Sequence, residues 1–145
     1  MAESARTTLV AGGLAGLLGG IPSTVYLLLT GGDLLAAVNA LAAMATANEL
    51  PVLYRIAVAG GVHFAVSFFW ASVLVALLPR RAPILGALVA SALIALLDLK
   101  LIAPRFFPEA AALAFMPQLA DHLAWGATIG AVLRVRRGRR VARAR

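Results

Sequence analysis

Long uncharged apolar runs separated by short charged breaks make up most of the chain. The first runs from about Thr7 to Thr30, long enough at ~1.5 Å per helical residue to cross roughly 30 Å of hydrocarbon. The second, Ile56 to about Leu78, lies between Arg55 and the Arg80-Arg81 pair. The third, about Ala82 to Ala103, is uncharged until Asp98 and Lys100, and Pro104 is expected to end it. A fourth runs over about 117–136, with Pro117 in its first turn and Gln118, Asp121 and His122 in its outer part. The pattern predicts an all-α fold: a bundle of four transmembrane helices over residues 1–137 and a basic tail over 138–145.

Between the first two runs, Gly31-Gly32 ends a helix and Asp33 is placed to cap the next, Leu34 to about Ala47. That segment is too short to cross, so a short interfacial or re-entrant helix is expected, made mildly polar by Asn39, Thr46 and Asn48 and closed by Pro51 and Arg55. Within the first run, Gly12, Gly16 and Gly20 recur at four-residue spacing, a stripe that lets another backbone approach closely. Gly126 and Gly130 give the last run a similar face. Pro22 predicts a kink, or a restart after Gly19-Gly20.

Composition agrees with this pattern, since 62% of the 145 residues are hydrophobic and 13% charged, far from a soluble domain of this size. The net charge of +7 is concentrated at the end, in Arg134, Arg136, Arg137, Arg139, Arg140, Arg143 and Arg145. Without interleaved aromatics or a nucleic-acid-binding motif, this cluster predicts no nucleic-acid partner. It reads as a positive-inside anchor that can hold anionic lipids. With Arg6, Arg80 and Arg81 on the same side, both termini are expected in the cytoplasm of a bacterial inner membrane, leaving Arg55, Lys100 and Arg105 toward the outside. The apolar stretch after Arg6 is too long for a signal-peptide core and is expected to be a retained span. Phe106, Phe107 and Trp125 suit an outer aromatic belt. With no cysteine, disulfides, thiolate metal sites and cysteine nucleophiles are excluded.

The intramembrane ionisable groups are the candidate chemistry. In the predicted topology His63, Asp98, Asp121 and His122 all fall roughly 7 to 10 Å below the outer boundary. Such groups are expensive in lipid and should face the bundle interior or a wet cavity. Ser67 shares a face with His63, and Gln118, Gly126, Gly130 and Arg134 share one with His122. Asp98 lies with Ala95, Ser91 and Ala87, while Lys100 points elsewhere and snorkels outward. Asp121 and His122 are about 100° apart around their helix, so Asp98 is the better inward carboxylate.

The segments Val62-His63-Phe64-Ala65-Val66-Ser67, Pro79-Arg80-Arg81 and Ala120-Asp121-His122-Leu123-Ala124-Trp125-Gly126 resemble the YagU-like family of small bacterial inner-membrane proteins, whose activity is not established. The resemblance covers about the last 90 residues. It implies an inner-membrane location, a histidine in each of two helices, at His63 and His122, and a link to acid tolerance rather than a reaction.

No enzyme is predicted: the chain lacks GxSxG, HExxH, P-loop and Rossmann patterns, and Ser67 with His63 on one helix has no oxyanion donors. A single His63–His122 pair is too little to predict a haem. Imidazoles with carboxylates suit protons or a divalent metal such as Zn, Mn or Fe, held by His63 and His122. The competing reading is a structural or accessory subunit of a larger membrane complex, or a homo-oligomer, in which these residues only pack.

Overall fold

The computed structural model describes residues 2–46, 50–79 and 81–143; expectations placed on Asn48, Arg80 and the arginine side chains from Arg139 onward lie outside the described residues. Every regular element among them is helical. Helix α1 (Ala2–Gly19) and helix α2 (Ile21–Thr30) are two parts of one apolar length, divided at Gly20, with Pro22 in the first turn of α2. Gly31 ends α2 with φ 69°, a left-handed conformation that favours glycine. The Asp33 carboxylate then accepts the Leu35 amide at 2.8 Å, opening the short helix α3 (Leu35–Ala43). Helix α4 (Val52–Leu77) follows, then α5 (Pro83–Leu96).

Beyond α5 the helix widens into a π-helical segment, Leu97–Ile102, and continues as α6 (Ala103–Phe106). Pro104 therefore does not end this element as expected. The wider turn reroutes the backbone bonding, so that the Ala103 amide reaches the Asp98 carbonyl, and a residue lacking its own N–H is absorbed in the first turn of α6. Helix α7 (Pro108–Ala111) and the long α8 (Phe115–Arg143) complete the chain.

Three lengths are long and apolar enough to cross a membrane: Ser4–Thr30, Val52–Leu77 and Pro83–Phe106. The fourth expected span is a helix of ample length, but it does not meet that description because Gln118, Asp121, His122 and the terminal arginines interrupt its apolar sequence. Its position accounts for this. Helix α8 packs against α5 on one side and α1 and α2 on the other, and α4 lies beyond, against α1. The most polar long helix is thus the most enclosed, with Ile129, Leu133 and Trp125 in a core shared with Ala11, Ala15, Ala71, Leu74 and Ile94.

Small residues create this arrangement. A Cβ on Gly130 would lie 2.6 Å from Ile84 Cα and 3.0 Å from the Pro83 carbonyl, and one on Gly126 would strike the Ser91 side chain and the Ala87 carbonyl. On α1, a Cβ on Gly12 or Gly16 would meet Phe68 or Phe64 at 2.6 and 2.8 Å. Gly20 is not part of this interface: a Cβ there would meet nothing within 4 Å, because the helix divides at that residue. Gly19 faces α8 instead, at Trp125. A smaller cluster of Ala40, Ala103 and Ala110 with Met44, Phe107 and Leu113 joins α3, α6 and α7 at one end of the bundle. There the Arg55 guanidinium donates to Asn39 Oδ1 at 2.7 Å, tying α3 to the start of α4.

Because Gly130 meets rigid backbone whereas Gly13 faces open space inside α1, Gly130→Ala is expected to destabilise the folded protein by about 1–3 kcal/mol and Gly13→Ala to stabilise it by up to about 1 kcal/mol through helix propensity. Thermal unfolding of the two variants in one detergent measures the difference.

Candidate functional site

Asp121 and His122 point to different sides of α8, as their angular separation requires. The Asp121 carboxylate turns toward α2, where Oδ1 accepts the Ser23 amide at 2.8 Å. That amide is free because the helix restarts at Ile21, leaving the first N–H groups of α2 without partners within the helix. A carboxylate from α8 thus caps α2 from across the interface, where the helix dipole also favours negative charge.

His122 faces the π-helical segment. Its Nδ1 donates to the Gln118 carbonyl at 2.8 Å, and its Nε2 stands 3.7 Å from Asp98 Oδ2. Gln118 therefore serves the site through its backbone. With Nδ1 committed to a carbonyl, Nε2 is the position at which a proton comes and goes. In the neutral ring its lone pair faces the carboxylate, two acceptors opposed, so one proton completes the pair, on the imidazole or on the carboxyl. The side chains are partly exposed, at 23% and 26%.

His63 does not join them. Its Nε2 donates to the Gly16 carbonyl of α1 at 2.8 Å. Helix α4 begins at Val52 rather than Ile56, and its contact at Gly16 lies roughly 10 Å along the first apolar length from the Ser23–Asp121 contact. The two histidines therefore meet different partners, although Asp121 remains within electrostatic reach of both imidazoles. Among the described residues no group of three or more His, Asp or Glu side chains is arranged to hold a metal ion.

Ser67, one turn beyond His63, donates to the Gly12 carbonyl at 2.8 Å and accepts from Trp125 Nε1 at 2.8 Å. This short chain ties α1, α4 and α8 together. Trp125 is consequently buried in the bundle and does not belong to an outer aromatic belt, its N–H needing a partner that the interior supplies. Lys100, exposed beside the site, places Nζ 4.3 Å over the Phe115 ring. The sequence reasoning missed Ser23 and the tie between Trp125 and Ser67. The Gly-Gly-Ile-Pro-Ser restart signals free amides at Ser23, but nothing local to Trp125 signals its partner.

Among the described residues, the site and fold are those of a helical protein with three lengths apolar enough for a membrane. Compared with family models, curated proteins and solved structures, the chain matches none.

Ser67→Ala leaves the buried Trp125 N–H without its acceptor and is expected to destabilise the protein by about 1–3 kcal/mol. Adding Trp125→Phe should make the loss less than additive; a double-mutant cycle by thermal unfolding reads the coupling.

Proposed function

We propose that the protein is a small polytopic inner-membrane protein whose His122–Asp98 pair takes up and releases a proton from the periplasmic side. The observation that carries this reading is the placement of His122 Nε2 against Asp98 Oδ2, with Nδ1 already committed and both side chains partly exposed. The π-helical segment carrying Asp98 adds support, since such segments occur frequently at functional sites. The YagU-like resemblance of the segments around His63 and His122 supports a link to acid tolerance. A divalent cation is the alternative occupant of the pair.

In this reading α8 is a fourth span, its polar residues turned to neighbouring helices rather than to lipid. Helix α3 lies at the outer interface. The bias of Arg6, Arg81 and the final arginines against Arg55 and Arg105 puts both termini in the cytoplasm.

A second reading, a structural or accessory subunit or homo-oligomer, is favoured by the bonding of His63, Ser67 and Asp121. Each bonds to backbone on a neighbouring helix, as packing residues do. The two readings divide the cluster: these three hold helices together, and His122 with Asp98 carries the chemistry.

With Trp125 one turn from Asp121 as reporter, in a Trp70→Phe background, fluorescence is expected to change between about pH 5 and 8. His122→Gln and Asp98→Asn should each abolish the change and His63→Gln should retain it, with a chelator having no effect. A response that survives both pair substitutions overturns the proton reading, and a response that requires added Zn²⁺ replaces it with the cation.

Reporter fusions after Arg81 and Arg145 are expected to lie in the cytoplasm, and fusions after Glu49 and Glu109 in the periplasm. A periplasmic Arg145 would remove the fourth span.

A further inference from the structure

At the end of the bundle opposite the His122–Asp98 pair, a cavity of about 1130 Å³ opens where α4 turns into α5 and α8 runs past them. It exists because α4 and α5, although consecutive, do not pack along their lengths; α4 lies on α1 and α5 on α8. Its wall combines two chemistries. Val75, Ile84 and the buried Leu133 give an apolar part, while Arg81, Arg134 and Arg136 line the same space with basic residues. No carboxylate lines it among the described residues. Arg137 also lies on the wall, where it donates to the Pro79 and Leu78 carbonyls at 2.9 and 3.2 Å and holds the end of α4 against α8.

We propose that this cavity is a binding site for an anionic phospholipid, with the phosphate against Arg81, Arg134 and Arg136 and an acyl chain along the apolar wall. Guanidinium groups gathered at one wall repel one another, and a phosphate accepting their paired N–H groups relieves that repulsion. The apolar half selects a lipid over a free anion, since inorganic phosphate would leave the part-exposed Val75 and Ile84 against water. Basic pockets between membrane helices at the bilayer surface are a setting in which anionic headgroups bind. This site joins the first two arginines of the terminal cluster to Arg81 across the cavity wall, and it does not depend on the proton reading.

The test uses the full-length protein in detergent, with native mass spectrometry to count retained lipid and thermal unfolding to read stabilisation. Mixed micelles containing phosphatidylglycerol are expected to leave bound lipid and raise the unfolding midpoint more than micelles containing phosphatidylcholine. Arg134→Gln/Arg136→Gln should weaken phosphatidylglycerol retention roughly tenfold, with helical content and elution volume unchanged. Arg134→Lys/Arg136→Lys should recover part of it. Equal retention by the wild type and the Gln variant overturns the proposal. So does stabilisation by inorganic phosphate equal to that by phosphatidylglycerol, which would make the cavity a free-anion site. Should the Gln variant misfold, retention by the wild type decides alone, phosphatidylglycerol no better than phosphatidylcholine refuting the site.

Discussion

The approach of α8 to the helices on either side of it is the constraint on which the rest of the molecule depends. In lipid, apolar side chains gain little by meeting one another, so helices associate through close packing and hydrogen bonds. Gly126 and Gly130 remove the side chains that would hold α8 away from Ser91, Ala87 and Ile84, and Gly19 does the same toward Trp125. The resulting proximity lets Trp125 reach Ser67, Asp121 reach the start of α2, and His122 face Asp98. Polar groups that would be expensive against hydrocarbon are placed where each meets another polar group.

The sequence was most informative where local chemistry decides the outcome. Uncharged length marks three membrane-competent stretches, and Pro22 beside Gly19-Gly20 marks the division of the first. The Asp33 turn and the position of Pro117 were legible for the same reason. Pro104 misled because its effect depends on the turn before it, and nothing in Leu97–Ile102 announces a π-helical bonding pattern. The fourth stretch is ambiguous by composition alone. Its polar residues weigh against a span in an isolated helix and become intelligible only when the neighbours that cover them are known.

The site was legible as a set of residues and less so as an arrangement. Angular position correctly separates Asp121 from His122, and it selects Asp98 as the carboxylate that His122 meets. Predicted helix ends were less reliable, because a start at Val52 rather than Ile56 moves His63 about one turn further into its helix. Partners distant in the chain, such as Gly16 for His63 and Ser67 for Trp125, follow from which helices are neighbours. Periodicity does not contain that information.

The position of α8 also bears on how the chain is made. Helices α1 and α4 are neighbours and can pair as soon as both have left the ribosome, whereas α5 packs on neither and rests on α8. The central helix is synthesised after all of the helices it packs against. Until it arrives, α2 lacks its capping carboxylate, Asp98 lacks its imidazole, and the face of α5 that will receive Gly126 and Gly130 has only lipid against it. Assembly of the bundle is thereby deferred until α8 has been made, and a chain interrupted before it leaves α5 without the helix it rests on.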